Sequence, residues 1–279
     1  MAPPISVCVL AYNEQEKIAH ALRSARQCAW VDQIIVFDSG STDDTCAIAR
    51  ELADRVEHRD WVDFTTNRRA IVDAAANDWV FILDADEEIS PELAAEIGRL
   101  DEAVFERHPV LTMPRRNYLL GRHVRAWDPD RLDRLFDRRR VGWPQRSVHD
   151  TREPTEGAGR PGALHGPILH NRHADDFGDY FDGVRYAART DALAREMHAA
   201  GRRVGWLGLC LRPLATFAKF YLLKGGWTQG SFGLLVAQKA AFSTQLKYAR
   251  LWHLQAGARA GGQGGGERID RTPRGERPG

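Results

Sequence analysis

Along the first hundred residues, continuous apolar runs alternate with stretches in which apolar residues return every three or four positions. Ile5–Ala11 (ISVCVLA) is unbroken and apolar, the pattern of a strand buried on both faces. Between Glu14 and Cys28, Ile18, Ala21, Leu22 and Ala25 fall at i, i+3, i+4 and i+7 with charges between them, which predicts a helix. Gln33–Phe37 (QIIVF) predicts a second strand, and Asp43 and Asp44 open a helix reaching Ala53, acidic where the helix dipole favours it. A short strand near Val56 and a helix from Thr65 to Ala76 precede a third strong strand, Trp79–Leu83 (WVFIL). Ser90-Pro91 then supplies an N-cap and an N1 proline for the next helix. This alternation predicts an α/β fold with a mostly parallel sheet covered by helices on both faces.

Beyond residue 100 the pattern loosens. Residues 101–200 are rich in Arg, Asp, Gly and Pro, with 157–166 read as an exposed loop and 176–200 as helical. Residues 201–255 are apolar and aromatic, punctuated only by positive charge, and the Gly/Arg-rich stretch from Ala256 has too little apolar content to fold. Three regions are expected: an α/β domain over 1–195, a basic amphipathic helical extension over 196–255, and a disordered tail over 256–279. With 279 residues, 43% apolar and 28% charged, the chain can bury a sizeable core, which excludes wholesale disorder, a collagen-like repeat and a multi-span membrane protein.

The formal net charge of +1 hides a polarity. Residues 1–100 carry 9 Lys/Arg against 19 Asp/Glu, whereas residues 197–266 carry nine Lys/Arg and no acid. An acidic front without a recognition motif argues against a nucleic-acid partner. The basic back is too interrupted to cross a bilayer, which takes about 20 consecutive apolar residues. The 14 residues between Lys224 and Lys239 include Gly225, Gly226 and Gly230. A cationic, aromatic amphipathic segment instead favours lying on an anionic membrane surface; the competing reading is a helical hairpin packed on the α/β domain with its charges solvated. Cys8, Cys28, Cys46 and Cys210 form no CxxC pair and read as reduced, buried thiols. Met1-Ala-Pro-Pro lacks a basic n-region, so no signal peptide is expected.

The three strong strands all run into carboxylates: Tyr12-Asn13-Glu14 after the first, Asp38-Ser39-Gly40-Ser41 after the second, Asp84-Ala85-Asp86 after the third. In an open parallel sheet, ligands bind outside the carboxyl ends of the strands. Carboxylates gathered there repel one another unless they hold a cation or accept hydrogen bonds. A hard divalent ion bridging carboxylate and diphosphate oxygens resolves the conflict. An acidic-x-acidic triplet alone is weak, since Glu14-Gln15-Glu16 and Asp128-Pro129-Asp130 are triplets too, and a solvated strand end is the commoner reason for a lone one. Its place after an apolar strand, with two acidic strand ends upstream, gives it weight. Neither G-x-G-x-x-G nor a P-loop occurs, so metal must neutralise most of the diphosphate charge, helped by Arg68 or Arg69.

The succession ISVCVLAYNE, IIVFDSGSTDDT and DWVFILDADEEIS resembles the family 2 glycosyltransferases with the GT-A nucleotide-diphospho-sugar fold. Residues 117–121 (NYLLG), 128–136 (DPDRLDRLF), 147–150 (SVHD), 168–170 (ILH), 212–227 (RPLATFAKFYLLKGGW) and 247–252 (KYARLW) resemble its lipopolysaccharide-core glucosyltransferase branch. The resemblance implies that Ala11, Tyr12, Asn13 and Glu14 line a nucleotide pocket, that Asp38 meets the donor's base or ribose, and that Asp84 lies near ribose and metal. It makes Asp86 the direct ligand of Mg²⁺ or Mn²⁺ and His170 an additional metal ligand, against a structural role for a lone histidine. It implies Asp150 as general base, where the branch carries Glu, with Asp130 as second candidate. Ser39 stands where the family often has a second Asp, and Arg69 where the branch has Asn. The implied reaction is metal-dependent, inverting hexosyl transfer from a nucleotide-sugar such as UDP-glucose to a lipid-linked glycan such as lipopolysaccharide core. Its implied place is the cytoplasmic face of the bacterial inner membrane. Two rivals remain: a haloacid-dehalogenase-like phosphatase, whose motif has Thr where this chain has Glu88, and a non-catalytic membrane-bound scaffold that binds sugar nucleotides.

Overall fold

The computed structural model describes residues 2–142, 153–155, 159–172 and 183–263. The chain divides between residues 180 and 181 into two compact units.

In the first unit, strands β1 (Ile5–Ala11), β2 (Val31–Asp38), β3 (Arg55–His58) and β4 (Trp79–Asp84) alternate with helices α1 (Ile18–Arg26), α2 (Thr45–Leu52) and α3 (Phe64–Ala74). Next come β5 (Glu87–Ile89), helices α4 (Pro91–Gly98) and α5 (Glu102–Arg107), β6 (Val110–Leu119), β7 (Arg122–His123) and β8 (Arg131–Asp137). The short strands β9 (Val141–Gly142), β10 (Glu153–Pro154), β11 (Gly162–Ala163) and β12 (Ile168–His170) complete the unit. The main sheet runs β3-β2-β1-β4-β8-β6-β12-β5. Its first four strands are parallel, as the alternating pattern requires. The other half is mixed: β8 lies antiparallel between β4 and β6, and β12 is parallel to β6 but antiparallel to β5.

Alternation along β1 builds a core on each side. Ile5, Val7, Val9 and Ala11 pack with Ile18, Leu22, Leu93 and Ile97, while Cys8 faces Ile71, Val72 and Ala75 of the opposite layer. The Ser90 hydroxyl accepts from Leu93 N at 3.1 Å, as its N-cap signal requires, and Asp63 caps α3 by accepting from Thr66 N at 2.8 Å. Residues 157–166 are not simply an exposed loop. β11 pairs with β6, Leu164 is buried, and Gly166 approaches α4 so closely that a Cβ there would lie 2.4 Å from Leu93 Cα.

The second unit holds α6 (Gly183–Ala199), α7 (Trp206–Ala218), a π-helical turn over Lys219–Leu223, a 3₁₀ turn over Gly226–Gln229 and α8 (Gly230–Gln263). Ala194, Val204 and Leu251 form its small buried cluster, so α6 belongs here whole and the domain boundary precedes it instead of falling at 195. Asp191 accepts from Arg195 at 2.6 Å and pairs with Arg250, tying α6 to α8. Arg212 donates to the Tyr248 hydroxyl at 2.7 Å, tying α7 to α8. The helix α8 continues past Ala256 to Gln263, beyond the expected onset of the tail, since Ala and Arg at 256–260 offset the glycines in helix propensity. Cys210 is exposed, unlike the buried Cys8 and Cys28. Among the described residues, no helix is long and apolar enough to cross a membrane.

Candidate active site

Sheet register puts the three acidic strand ends side by side. Ala11 pairs with Asp38 across β1 and β2, and Leu10 with Asp84 across β1 and β4. The loops after β1 and β2 are then laced together. Asn13, in the left-handed region at φ 52°, accepts from Thr42 N at 2.8 Å and donates its own N–H to Ser41 Oγ at 2.9 Å. Glu14 N donates to Thr45 Oγ1 at 2.8 Å, and its carboxylate lies 3.4 Å from Lys17 Nζ. Asp38 is buried and braces this loop. It accepts from Gly40 N at 3.0 Å, Ser41 N at 2.9 Å and the Ser41 hydroxyl. Burial alone would raise its carboxyl, but those hydrogen bonds outweigh it and hold the group below the ordinary carboxylate range. Ala11 is buried and Tyr12 stands exposed at the rim.

The end of β4 is organised by arginines. Asp84 accepts from Arg68 at 2.6 Å on one oxygen and from Arg134 at 2.5 Å on the other. Desolvation would raise the Asp84 carboxyl, yet the charges of Arg134 and Arg68 drive it well below its usual range. Glu87, 0% exposed, accepts from the same Arg134 at 2.9 Å and from Arg115 at 3.3 Å. Arg115 continues to Asp130 at 2.9 Å, and Asn117 Nδ2 donates to the same Asp130 oxygen at 3.1 Å. Arg68 is thus occupied with Asp84, while Arg69 lies exposed near Asp73.

From Asn117 the network turns to the second acid of the triplet. Asn117 Oδ1 accepts from His170 Nδ1 at 2.9 Å, and His170 Nε2 lies 3.2 Å from Asp86 Oδ2. Burial would lower the His170 imidazole, but the Asp86 carboxylate outweighs it and raises the group. For Asp86, burial pushes upward and the bond and charge of His170 prevail, holding the carboxyl low. An acceptor faces each ring nitrogen, so the ring is satisfied as imidazolium, or as neutral Nδ1–H imidazole with a cation in place of the Nε2 proton. Among the described residues, no cluster of three His, Cys, Asp or Glu presents itself for a metal. The third donor is an amide. Asn171, at φ 55°, places its Nδ2 3.2 Å from His170 Nε2 and leaves its Oδ1 buried without a hydrogen-bond partner. Asp86 and Asn171 line one small cleft with Lys17, His20, Glu88 and Arg172. One carboxylate, one imidazole and one amide oxygen would suit a Mg²⁺ or Mn²⁺ ion that keeps part of its shell for phosphate and water.

The sheet therefore gathers Ala11 to Glu14, Asp38, Asp84, Asp86, Asp130 and His170 about its carboxyl edge. Asp150 lies outside the described residues. Sequence reasoning missed Glu87, Arg115, Asn117, Arg134 and Asn171. The neighbourhood of Glu87 to the triplet and of Asn171 to His170 was the only signal for those two; the others sit on strands that sequence did not disclose.

Among solved structures, the mannosyltransferase PcManGT from Pyrobaculum calidifontis in complex with GDP-Man and Mn²⁺ matches at a TM-score of 0.48 and 17% identity, over 94% of this chain and 86% of that one. TarS 1-349 of S. aureus matches at a TM-score of 0.42 and 15% identity, over 92% of each chain. Scores this low do not bear on the site. By sequence, the chain is 26% identical over 271 residues to the lipopolysaccharide core biosynthesis glycosyltransferase LpsC of Rhizobium meliloti, covering 91% of this chain and 93% of that one. It is 39% identical over 104 residues to an uncharacterized glycosyltransferase of Rickettsia felis, a match spanning 37% of this chain and only 35% of its relative. The Glycosyl transferase family 2 model matches residues 6–150, just over half of the chain, and includes all three strand-end motifs. The chain belongs to glycosyl transferase family 2.

Proposed function

We propose that this chain is a metal-dependent, inverting glycosyltransferase that moves a hexose from a nucleotide-sugar, with UDP-glucose the first donor to test, to a lipid-linked glycan of the cell envelope such as lipopolysaccharide core. The observation that carries the reading is Asp86 beside His170 and Asn171 at the carboxyl edge of a family 2 sheet, where the Asn171 amide oxygen is buried without a hydrogen-bond partner. The near full-length likeness to LpsC supports the choice of acceptor. The acceptor then lies at the inner face of the bacterial cytoplasmic membrane, with the chain held peripherally on an anionic surface. The phosphatase and scaffold readings gain no support.

When bound, the divalent ion takes up the negative charge that develops on the leaving diphosphate. Every other part belongs to the chain. The loops after β1 and β2, laced through Asn13, Ser41 and Thr42, wall the nucleotide side. Arg68 and Arg134 fix Asp84, so its carboxylate arrives oriented at the ribose side without drawing the cation to itself. Asn117 orients the His170 ring by accepting from Nδ1. A carboxylate, Asp150 or else Asp130, takes the proton of the acceptor hydroxyl as its oxygen bonds the anomeric carbon and the carbon–oxygen bond to the diphosphate breaks in line. Asp130 is held by Arg115 and Asn117, which gives it a fixed position but engages it already; Asp150 therefore remains the first choice.

The test is nucleoside-diphosphate release from a donor panel in the presence of de-acylated lipopolysaccharide core, comparing wild type with Asp150→Asn and Asp130→Asn. The base variant should lose about 10²–10⁴-fold in kcat with little change in KM for the donor. Full activity in both variants would remove both residues from the role, and no release with any donor would refute the transferase reading.

A further inference from the structure

Helix α7 has the sequence WLGLCLRPLATFA, apolar nearly all round, yet none of its residues is buried. A helix of that composition ordinarily sits inside a protein. At 100° per residue, Trp206, Leu207, Cys210, Leu211 and Leu214 share one arc about 140° wide. The opposite arc is the one that packs: Leu209 on the buried cluster, Arg212 on Tyr248, and Thr216 on Thr244 at 3.2 Å. The outward arc is fully presented, with Trp206 72% and Leu214 65% exposed. In the π-helical turn that follows, Leu222 and the 84% exposed Leu223 are also out, and Trp227 stands exposed just beyond. Arg202 and Arg203 before the helix and Lys219 after it are exposed as well. No acid occurs anywhere in residues 197–266.

We propose that this arc docks on the surface of an anionic phospholipid bilayer, with Trp206, Leu211 and Leu214 entering the headgroup–acyl boundary and Arg202 and Arg203 meeting lipid phosphates. Charge selects an anionic partner. The row of aliphatic and indole side chains selects lipid over a nucleic acid, whose phosphates and base edges offer such a row nothing to bury against. The segment lies on the membrane and does not span it. The proposal rests on the reading of a lipid-linked acceptor only for its purpose, because binding to vesicles needs neither donor nor acceptor.

The test uses the full chain and sedimented vesicles of three parts phosphatidylcholine to one of phosphatidylglycerol, with pure phosphatidylcholine alongside. Wild type should bind the mixed vesicles, bind the neutral ones more weakly, and lose affinity as salt rises. The double variant Trp206→Ser/Leu214→Ser should bind about tenfold more weakly or less still. Arg202→Glu/Arg203→Glu should lose the preference for the anionic lipid. Both substitute exposed positions, so an unchanged thermal midpoint is expected and serves as the folding control. Donor affinity measured in the same samples should stay unchanged, which separates failure of docking from failure of the transferase reading. Absence of binding to the anionic vesicles, or undiminished binding by the double variant, overturns the proposal. So does a concentration-dependent dimer, or duplex-DNA binding, that the same double variant abolishes, since either would give the face to another occupant.

Discussion

Glu87 is wholly buried and supports two arginines that Asp84 and Asp130 also engage, so removing its charge leaves a buried network one carboxylate short. Breaking a buried pair by deleting one partner costs about 3–5 kcal/mol. Glu87→Ala should lower unfolding free energy by that amount in urea titrations; a loss of only a few tenths would mean the network is not structural. Asn171 makes a different demand. If its buried Oδ1 faces the cation, Asn171→Ala should weaken Mn²⁺ binding to the donor-free protein about 10-fold, read by the paramagnetic signal of the free ion, with the fold intact. Unchanged Mn²⁺ affinity would assign the amide a purely local role. Of the site residues, the aspartates and His170 were legible because strand ends and a family motif announce them, while Glu87 was not. Asn117, Arg115 and Arg134 were not, because nothing in a string of letters shows that an arginine is neutralised by a carboxylate far away in the chain.

The same reason explains which elements could be read. β1 and β4 are uniformly apolar and announced themselves, β1 to the residue. The helix α4 was marked by its cap. The strands β6 (VLTMPRRNYL) and β8 (RLDRLFD) carry Arg115, Asn117 and Arg134 of the site among other polar residues and so read as irregular, although they form the centre of the mixed half-sheet. At the end of β8, Asp137 is 2% exposed and accepts from Arg139 N at 3.0 Å and Arg139 Nη2 at 2.8 Å. Burial would raise the Asp137 carboxyl, but the Arg139 bonds prevail and lower it. The native state therefore binds this proton less readily than the unfolded chain, whose Asp titrates near about 3.9. The stability it contributes is complete above that pH and is lost as pH falls toward the depressed native value. Asp137→Asn should cost about 1–3 kcal/mol at neutral pH, with the gap to wild type closing on acidification; a gap independent of pH would contradict the assignment. Gly166→Ala tests the contact of the β11–β12 connection with α4. With a Cβ 2.4 Å from Leu93 Cα, the backbone must shift, at about 1–3 kcal/mol by thermal unfolding.

For the molecule as a whole, composition revealed two charge regimes but not the boundary. The acidic half and the acid-free half are plain in the charge count, whereas the split at 180/181 depends on α6 burying Ala194 within the second unit. We propose above all that one divalent cation, held at Asp86, makes the acidic edge of the sheet a sugar-nucleotide site. Calorimetric titration of a panel of nucleotide-sugars into the full chain, with and without Mn²⁺, tests it most directly. At least one donor should bind with the metal present, and both omission of Mn²⁺ and Asp86→Ala should weaken that binding about 10-fold or more. A donor that binds Asp86→Ala at wild-type affinity without metal, or a panel in which none binds, would contradict it.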